Sequence, residues 1–294
     1  MSDAIKGLWV ALATPLRDDG TIDTVEMARH AKALLGQGCD GIVLFGTTGE
    51  GTSFSGAERL AATEALLKAG IAASQIALGT GCPAITDTIA LTRGMRGLGL
   101  THALILPPYF YRDASDEGIG DAFSAVIDQV ADPALRVTLY HIPQVSGVAI
   151  APAVAARLRA RFGAVVAGLK DSSADFAQFR AFRAGAPDLA ILVGNEADIG
   201  RALAEGGVGT ICGMANMVPG LVRAMFAATP GEEAMKAALG LMRAPFMSVM
   251  KSTLAAQTGH AGWRHVRAPL VAADAALGVE IARGLAALTA RRAA

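Results

Sequence analysis

The chain has 294 residues, of which 52% are hydrophobic and 18% charged, so it has ample material for a large core and little tendency to disorder. Lys and Arg together number 26, as do Asp and Glu, and this balance leaves no basic surplus for binding nucleic acid. The length suits one (β/α)8 barrel, which needs roughly 250 residues.

The three cysteines, Cys39, Cys82 and Cys212, are widely spaced and include no CxxC pair. They predict buried free thiols in a reducing cytoplasm rather than a disulfide framework or a zinc site. No apolar run approaches the roughly 18 residues of a membrane-spanning helix, so we expect no membrane association. The apolar stretch after Lys6 is short and is needed as a first strand, which argues against a signal peptide.

Short apolar runs alternate with longer amphipathic runs along most of the chain. The short runs predict eight strands, at residues 7–13, 41–45, 75–79, 102–106, 136–140, 165–169, 189–193 and 209–212. Between them, Thr24 is a predicted cap for a first helix, and Ser55 with Glu58 forms a predicted capping box for a second. Further helices are predicted at residues 86–98, 115–130, 151–161, 176–184 and 197–205.

Strict alternation of strand and helix predicts a parallel sheet, and eight such units favour a closed (β/α)8 TIM barrel over an open doubly wound sheet. From about residue 220 the strands stop, and residues 219–228, 232–258 and 272–289 are predicted helices. No linker separates the two parts. We therefore expect residues 1–220 to form the barrel and residues 221–294 a helical extension packed on it, as one structural unit.

No nucleotide-binding motif is present. The segment 46–51 lacks the Gly-Lys-Ser/Thr ending of a P-loop, and no GxGxxG follows the first strand. No histidine has an acidic partner at a recognisable metal-ligand spacing, so the sequence predicts neither a cofactor nor a metal.

In a barrel of this kind the active site lies on the loops after the strands. Lys170 directly follows the sixth predicted strand, where partial desolvation favours the uncharged amine that attacks a carbonyl. A strand-end lysine that reaches solvent or pairs with Asp171 is the alternative. The other lysines lie near the N-terminus or in helical, polar contexts: Lys6, Lys32, Lys68, Lys236 and Lys251.

Two other strand ends carry suitable side chains. Thr47 and Thr48, with Gly49, can direct hydroxyls and backbone N–H groups at a carboxylate, although an ordinary glycine-rich turn would look the same. Tyr140 ends the fifth strand and can relay a proton, although a strand tyrosine is more often a packing residue.

Three motifs in this order resemble the dihydrodipicolinate synthase / N-acetylneuraminate lyase family of class I aldolases. They are Gly46-Thr-Thr-Gly-Glu50, Tyr140-His-Ile-Pro143 with Gly147, and Gly168-Leu-Lys-Asp-Ser172. The similarity runs from about Trp9 to Asn216 and weakly through the C-terminal helices.

The resemblance implies roles for individual residues. Lys170 would form the Schiff base, Thr47 and Thr48 would hold the carboxylate of a 2-oxo acid, and Tyr140 would transfer protons. Positions that line the pocket near the keto acid correspond to Gly194 and Ile211. The family also implies a homotetramer, a dimer of dimers, in which an aromatic residue of the 107–111 loop crosses into the neighbouring site.

The departures from the family pattern concern the second substrate. Val145 stands where the synthases carry an arginine for the aldehyde's carboxylate, a contact that valine cannot make. Phe110 stands at the crossing tyrosine, so Tyr109, which we include among the catalytic candidates, or Tyr111 is expected to replace it. Glu196 falls where relatives carry acids that can contact a polyol. Gly213 replaces a serine of the sialic acid lyases.

The resulting hypothesis is a Schiff-base lyase acting on a 2-oxo acid, pyruvate with an aldehyde partner or a 2-keto-3-deoxy sugar acid, without cofactor or metal. The first alternative is dihydrodipicolinate synthase itself, condensing pyruvate with aspartate semialdehyde. A Schiff-base sugar-acid dehydratase and a non-catalytic keto-acid-binding protein are further alternatives.

Overall fold

The computed structural model describes residues 4–227 and 231–293 of the chain. In this part, eight parallel strands close into a barrel in sequence order, with β8 pairing back onto β1. The (β/α)8 barrel predicted from the sequence is therefore confirmed. The strands are β1 Gly7–Ala11, β2 Gly41–Leu44, β3 Ile76–Gly79, β4 His102–Ile105, β5 Arg136–His141, β6 Val166–Asp171, β7 Ala190–Val193 and β8 Gly209–Cys212.

The side chains of each strand belong to two separate cores, because successive side chains point to opposite faces of the barrel wall. An inner cluster fills the barrel: Ile5, Trp9, Ala11, Val43, Ala77, Leu104, Tyr140, Ile142, Leu192 and Ile211. The intervening residues, such as Leu169, belong to a larger outer core shared with the helices. Lys170 pairs in register with Tyr140 and Leu192, so it shares their inward face.

Helices follow the strands and continue beyond the barrel. They are α1 Thr24–Gly36, α2 Gly56–Lys68, α3 Ile85–Gly97, α4 Asp116–Val130, α5 Pro143–Ser146, α6 Pro152–Phe162, α7 Phe176–Gly185, α8 Ile199–Ala204, α9 Pro219–Ala224, α10 Glu232–Leu241, α11 Phe246–Thr258 and α12 Ala275–Ala293. Over the described residues, no helix is both long and apolar enough to cross a membrane.

The N-termini of α1 and α2 test the two capping predictions. The capping box of Ser55 and Glu58 is present at α2. The expectation that Thr24 caps α1 is wrong by one position, because Asp23 is the cap and its carboxylate accepts from the Glu26 N–H. The short helix α5 was not predicted, since four residues are too few for a periodic pattern.

Three predictions for the C-terminal region need correction. Residues 232–258 form two helices, because α10 ends at Leu241 and Pro245 directly precedes α11. Proline lacks the N–H of a helix interior and clashes with the preceding turn, so it starts a helix rather than continuing one. The predicted helix 219–228 ends at Ala224, and its last residue, 228, lies outside the described residues. The predicted helix 272–289 runs instead from Ala275 to Ala293.

Candidate active site

A cavity of about 280 Å³ lies at the carboxyl ends of the barrel strands. Its walls include Thr47 after β2, Tyr109 after β4 and Tyr140 on β5, which are three of the residues expected to take part in catalysis. The loops after parallel strands meet at one end of the barrel, which brings together residues separated by about a hundred positions. Met247 and Leu270 of the C-terminal region complete the wall.

Lys170 lies beside this cavity rather than on its lining. The side chain is 4% exposed, and its Nζ lies 4.2 Å from the centroid of the Tyr140 ring. Within the described residues no carboxylate forms a salt bridge with it. The alternatives of a solvent-exposed lysine or one paired with Asp171 are therefore wrong: Lys170 is a buried amine against an aromatic face.

A hydroxyl pair joins β5 to the loop after β2. The Thr47 hydroxyl and the Tyr140 phenol are 3.1 Å apart, and either can donate the hydrogen bond. The Tyr140 ring thus faces the Lys170 amine, while its hydroxyl contacts the Thr47 hydroxyl. A phenol in this position can exchange a proton with Thr47 and with a group bound at the amine.

Thr47 and Thr48 belong to a loop, residues 45–51, that we call the threonine loop. Phe45 and Glu50 at its two ends have φ of 54° and 55°, in the left-handed region that costs a non-glycine residue about 1–2 kcal/mol. Gly49 fits only as glycine, because a Cβ there would lie 2.7 Å from the Leu12 carbonyl oxygen. The loop conformation is therefore maintained by tertiary contacts.

Gly194, after β7, fits against the Lys170 side chain. A Cβ at this position would overlap the Ser172 hydroxyl and would lie 3.0 Å from Lys170 Cε. Only glycine therefore lets Lys170 and Ser172 occupy their observed positions. Ser172 was not singled out from the sequence, although it follows Lys170 by two residues and its side chain returns to the same corner of the site.

Glu196 and Ile211 are buried residues outside the cavity lining. Ile211 is fully buried in the inner cluster. Glu196 is also buried, its Oε1 accepts from the Met214 N–H at 2.8 Å, and burial raises the pKa of its carboxyl. Neither residue lines the cavity, nor do Thr48 and Gly194. Glu196 is therefore bound to backbone in this structure.

The three aromatic side chains of the loop after β4, at residues 109–111, lie in different environments. Tyr109 lines the cavity, and burial raises the pKa of its phenol. Phe110 and Tyr111 are 80% and 72% exposed and contact each other edge to face. Phe110 also has a φ of 103°. Val145, at the position of the expected arginine, lines the cavity and is 61% exposed.

Two charged groups near the cavity were missed or misjudged from the sequence. Arg59 lines the cavity but is buried, and its guanidinium donates to the carbonyls of Phe54 and Gly79. Lys251, expected to be a helical residue in a polar context, has no exposed surface and forms a 2.6 Å ion pair with Glu50. Glu50 lines the cavity. The partners are 201 residues apart in sequence, so no local pattern could indicate the pair.

Comparison with known proteins agrees with this geometry. The family model of the dihydrodipicolinate synthetase family matches residues 4–276. An uncharacterised DapA-like lyase of Chloroflexus aurantiacus is 39% identical over 222 residues, which cover 75% of this chain and 74% of that protein. A 4-hydroxy-tetrahydrodipicolinate synthase of Rhodospirillum centenum is 34% identical over 221 residues, covering 75% and 74% respectively.

Among solved structures, the chain is similar to the dihydrodipicolinate synthase of Agrobacterium tumefaciens. The TM-score is 0.91 and the identity 35%, with 97% of this chain and 99% of that chain covered. The family model matches nearly the whole chain, and the two relatives named above are more than 30% identical over about three quarters of their length. The chain therefore belongs to the dihydrodipicolinate synthetase family of lyases.

Proposed function

We propose that this protein forms a Schiff base between Lys170 and a 2-oxo acid and breaks a carbon–carbon bond next to it. The observation that carries the proposal is the adjacency of the buried Lys170 and Tyr140 to the half-buried Thr47, with 4.2 Å from the amine to the centre of the phenol ring and 3.1 Å between the two hydroxyls. Among the described residues this buried amine forms no salt bridge, and burying an amine without one is costly, which favours a chemical role for it.

The reaction follows from these positions. The Lys170 amine attacks the C2 carbonyl of the keto acid, and Tyr140 protonates the departing hydroxyl, so that water leaves and an iminium forms. Cleavage of the C3–C4 bond sends its electron pair into the iminium, while the Tyr140 phenolate, which lost its proton in the first step, takes the proton of the C4 hydroxyl and C4 becomes the aldehyde carbon. The resulting enamine takes a proton at C3, and water releases pyruvate from Lys170. Thr47 and Thr48 hold the carboxylate throughout.

For the substrate we propose a 2-keto-3-deoxy sugar acid. Val145 gives the cavity a methyl-bearing side chain where a carboxylated aldehyde would need a guanidinium. The Ser172 hydroxyl, beside Gly194 and the Lys170 stem, supplies a polar partner for a substrate hydroxyl. Both observations favour a hydroxylated chain over aspartate semialdehyde, which is the substrate of the competing synthase function. A dehydratase would use the same Schiff base and differ only in expelling water from the sugar chain.

We also propose that the protein assembles as a tetramer in the cytoplasm. Phe110 and Tyr111 are large, exposed and adjacent to the cavity, as expected of residues covered by a second copy. The three cysteines are free, as in a reducing compartment. Sedimentation equilibrium tests the assembly: we expect the wild type to be a tetramer and the Phe110→Asp variant to dissociate. A monomeric wild-type protein would contradict the proposal.

The decisive experiment is borohydride reduction in the presence of pyruvate, followed by peptide mass spectrometry. We expect a reduced pyruvate adduct on Lys170 of the wild type and none in a folded Lys170→Ala variant. Lys236→Ala is the matched control, because that lysine is exposed on α10. An unmodified Lys170 in folded protein at saturating pyruvate would rule out pyruvate imine formation. The aldehyde substrate is then tested by comparing two rates: cleavage of 2-keto-3-deoxy sugar acids, and condensation of pyruvate with aspartate semialdehyde.

A further inference from the structure

The C-terminal helix α11 reaches the active site at three points along its N-terminal half. The Phe246 ring lies against Gly213, where an added Cβ would be 2.9 Å from the ring and 3.2 Å from the Thr48 hydroxyl. Met247 lines the cavity. Lys251, farther along the helix, contacts Glu50 of the threonine loop. This helix lies outside the eight barrel units, yet it touches the part of the site that the sequence motifs assign to the carboxylate.

The contact between Lys251 and Glu50 is the strongest of the three. Both side chains have no exposed surface, and Nζ lies 2.6 Å from Oε1. Glu50 Oε2 is buried and accepts no hydrogen bond from the described residues. Burial lowers the pKa of the Lys251 ammonium, while the adjacent carboxylate opposes that change. Each charge is therefore compensated chiefly by the other, in surroundings where a charge cannot remain alone.

The backbone of Glu50 explains what the ion pair accomplishes. Its left-handed conformation closes the threonine loop, where the Glu50 N–H donates to the Thr47 carbonyl at 3.0 Å. On the other side of the loop, the Thr14 hydroxyl donates to the Gly49 carbonyl at 2.8 Å. A non-glycine residue keeps such a conformation only when its surroundings require it. At Glu50 the surroundings that favour this conformation include the ion pair between its side chain and Lys251.

We propose that Lys251 is a positioning residue for substrate binding: through its ion pair with Glu50, helix α11 holds the threonine loop in the shape that receives the carboxylate of the 2-oxo acid. This proposal rests on the proposed function, in which Thr47 and Thr48 bind that carboxylate. Without Lys251, the buried Glu50 carboxylate loses its partner and moves toward solvent, and the loop backbone moves with it. The Lys170 amine, on the opposite side of the site, stays in place.

The test compares Lys251→Met with wild type by two measurements. Hydrogen–deuterium exchange of the amides in residues 47–53 reports the order of the threonine loop and needs no substrate. Borohydride trapping at increasing pyruvate reports binding separately from the rate at saturation. We expect faster loop exchange and a rise of about tenfold or more in half-saturating pyruvate, with the saturated trapping rate changed by less than about threefold. A purely structural defect would lower the amount of active enzyme and leave the half-saturating concentration unchanged.

Two further variants complete the experiment. Lys236→Met removes an exposed lysine from the neighbouring helix α10 and should match wild type in both measurements. The double variant Glu50→Gln with Lys251→Met removes both charges, so it folds even if the single variant does not, yet it cannot form the ion pair. It should show the same loose loop and weak pyruvate binding.

Wild-type loop exchange and wild-type half-saturation in either Lys251 variant would overturn the proposal while leaving Schiff-base formation intact. If the wild type itself forms no adduct, the proposed function fails. In that case the exchange data alone decide whether Lys251 holds the loop.

Discussion

Lys170 and Tyr140 are register partners on adjacent parallel strands, and the lysine's Nζ lies 4.2 Å from the centre of the tyrosine ring. The pairing of β5 with β6 fixes their relative height, so the amine and the phenol approach the cavity from the same level of the barrel. The Thr47 hydroxyl then reaches the phenol from β2, across the barrel opening. The first of four predictions concerns this arrangement.

The first prediction concerns proton transfer between Tyr140 and Thr47. Tyr140→Phe should lower kcat about a hundredfold or more, because the substrate hydroxyl then lacks its proton donor. Thr47→Val should also lower kcat, whereas Thr47→Ser keeps the hydroxyl and should remain within a few-fold of wild type. The measurement is steady-state kinetics on the cleaved 2-oxo acid. Equal activity of Thr47→Val and Thr47→Ser would contradict a role for the hydroxyl.

The second prediction concerns the close contact at Gly194. Gly194→Ala should abolish imine formation, because its Cβ would overlap the Ser172 hydroxyl and press on the Lys170 stem. Gly97→Ala is the control: it ends α3 with open space around its Cβ, so it should leave activity unchanged and stabilise the helix by up to about 1 kcal/mol. The measurements are borohydride trapping and thermal unfolding. Normal trapping in folded Gly194→Ala would show that Lys170 does not depend on this contact.

The third prediction concerns pH. Burial lowers the pKa of His141 from 6.5 to about 4, and its Nδ1 accepts the Ile150 N–H at 3.0 Å, which requires an unprotonated nitrogen. Between pH 6.5 and 4 the His141 ring is therefore protonated in the unfolded chain but not in the folded chain. The free energy of unfolding should fall as the pH drops through this window, by up to about 1.4 kcal/mol per pH unit for this residue.

His141→Asn should remove that contribution from the pH dependence. A second buried histidine, His30, has a pKa lowered to about 4 by burial and should continue to contribute in the variant. Denaturant unfolding at several pH values between 4 and 7 measures both slopes. An unchanged slope in His141→Asn, or an NMR titration of the His141 ring near pH 6.5, would show that this histidine is not the acid-sensitive group.

The fourth prediction concerns the choice of aldehyde. Val145→Arg would place a guanidinium on the cavity wall at an exposed position, where the substitution costs little stability. We expect kcat/KM for condensation of pyruvate with aspartate semialdehyde to rise about tenfold, while cleavage of a neutral hydroxylated substrate does not improve. Val25→Arg, exposed on α1 and away from the cavity, is the control. No gain with the carboxylated aldehyde would show that another residue determines this preference.

The architecture and the candidate reacting groups could be predicted from the sequence. Short apolar runs alternate with amphipathic runs that have the helical period of about 3.6 residues, so the barrel could be predicted from neighbouring residues alone. Lys170, Thr47 and Tyr140 lie at or just after the ends of apolar runs, and the rule that barrel sites lie at strand ends sufficed to place them at one opening. The break between α10 and α11 is also indicated by the sequence, because Pro245 cannot continue a helix.

The contacts that hold these groups could not be predicted from the sequence. The 2.6 Å pair of Lys251 with Glu50 and the bond from the Ala13 N–H to Asn216 Oδ1 span 201 and 203 residues. The sequence likewise did not indicate that the Glu196 carboxylate accepts from the Met214 N–H, or that Tyr109, rather than Phe110 or Tyr111, lines the cavity. These choices depend on how the barrel closes and how α11 packs across its opening. Local periodicity determines which face of an element is buried, but the partner of a buried charge is set by distant segments that meet only in the folded chain.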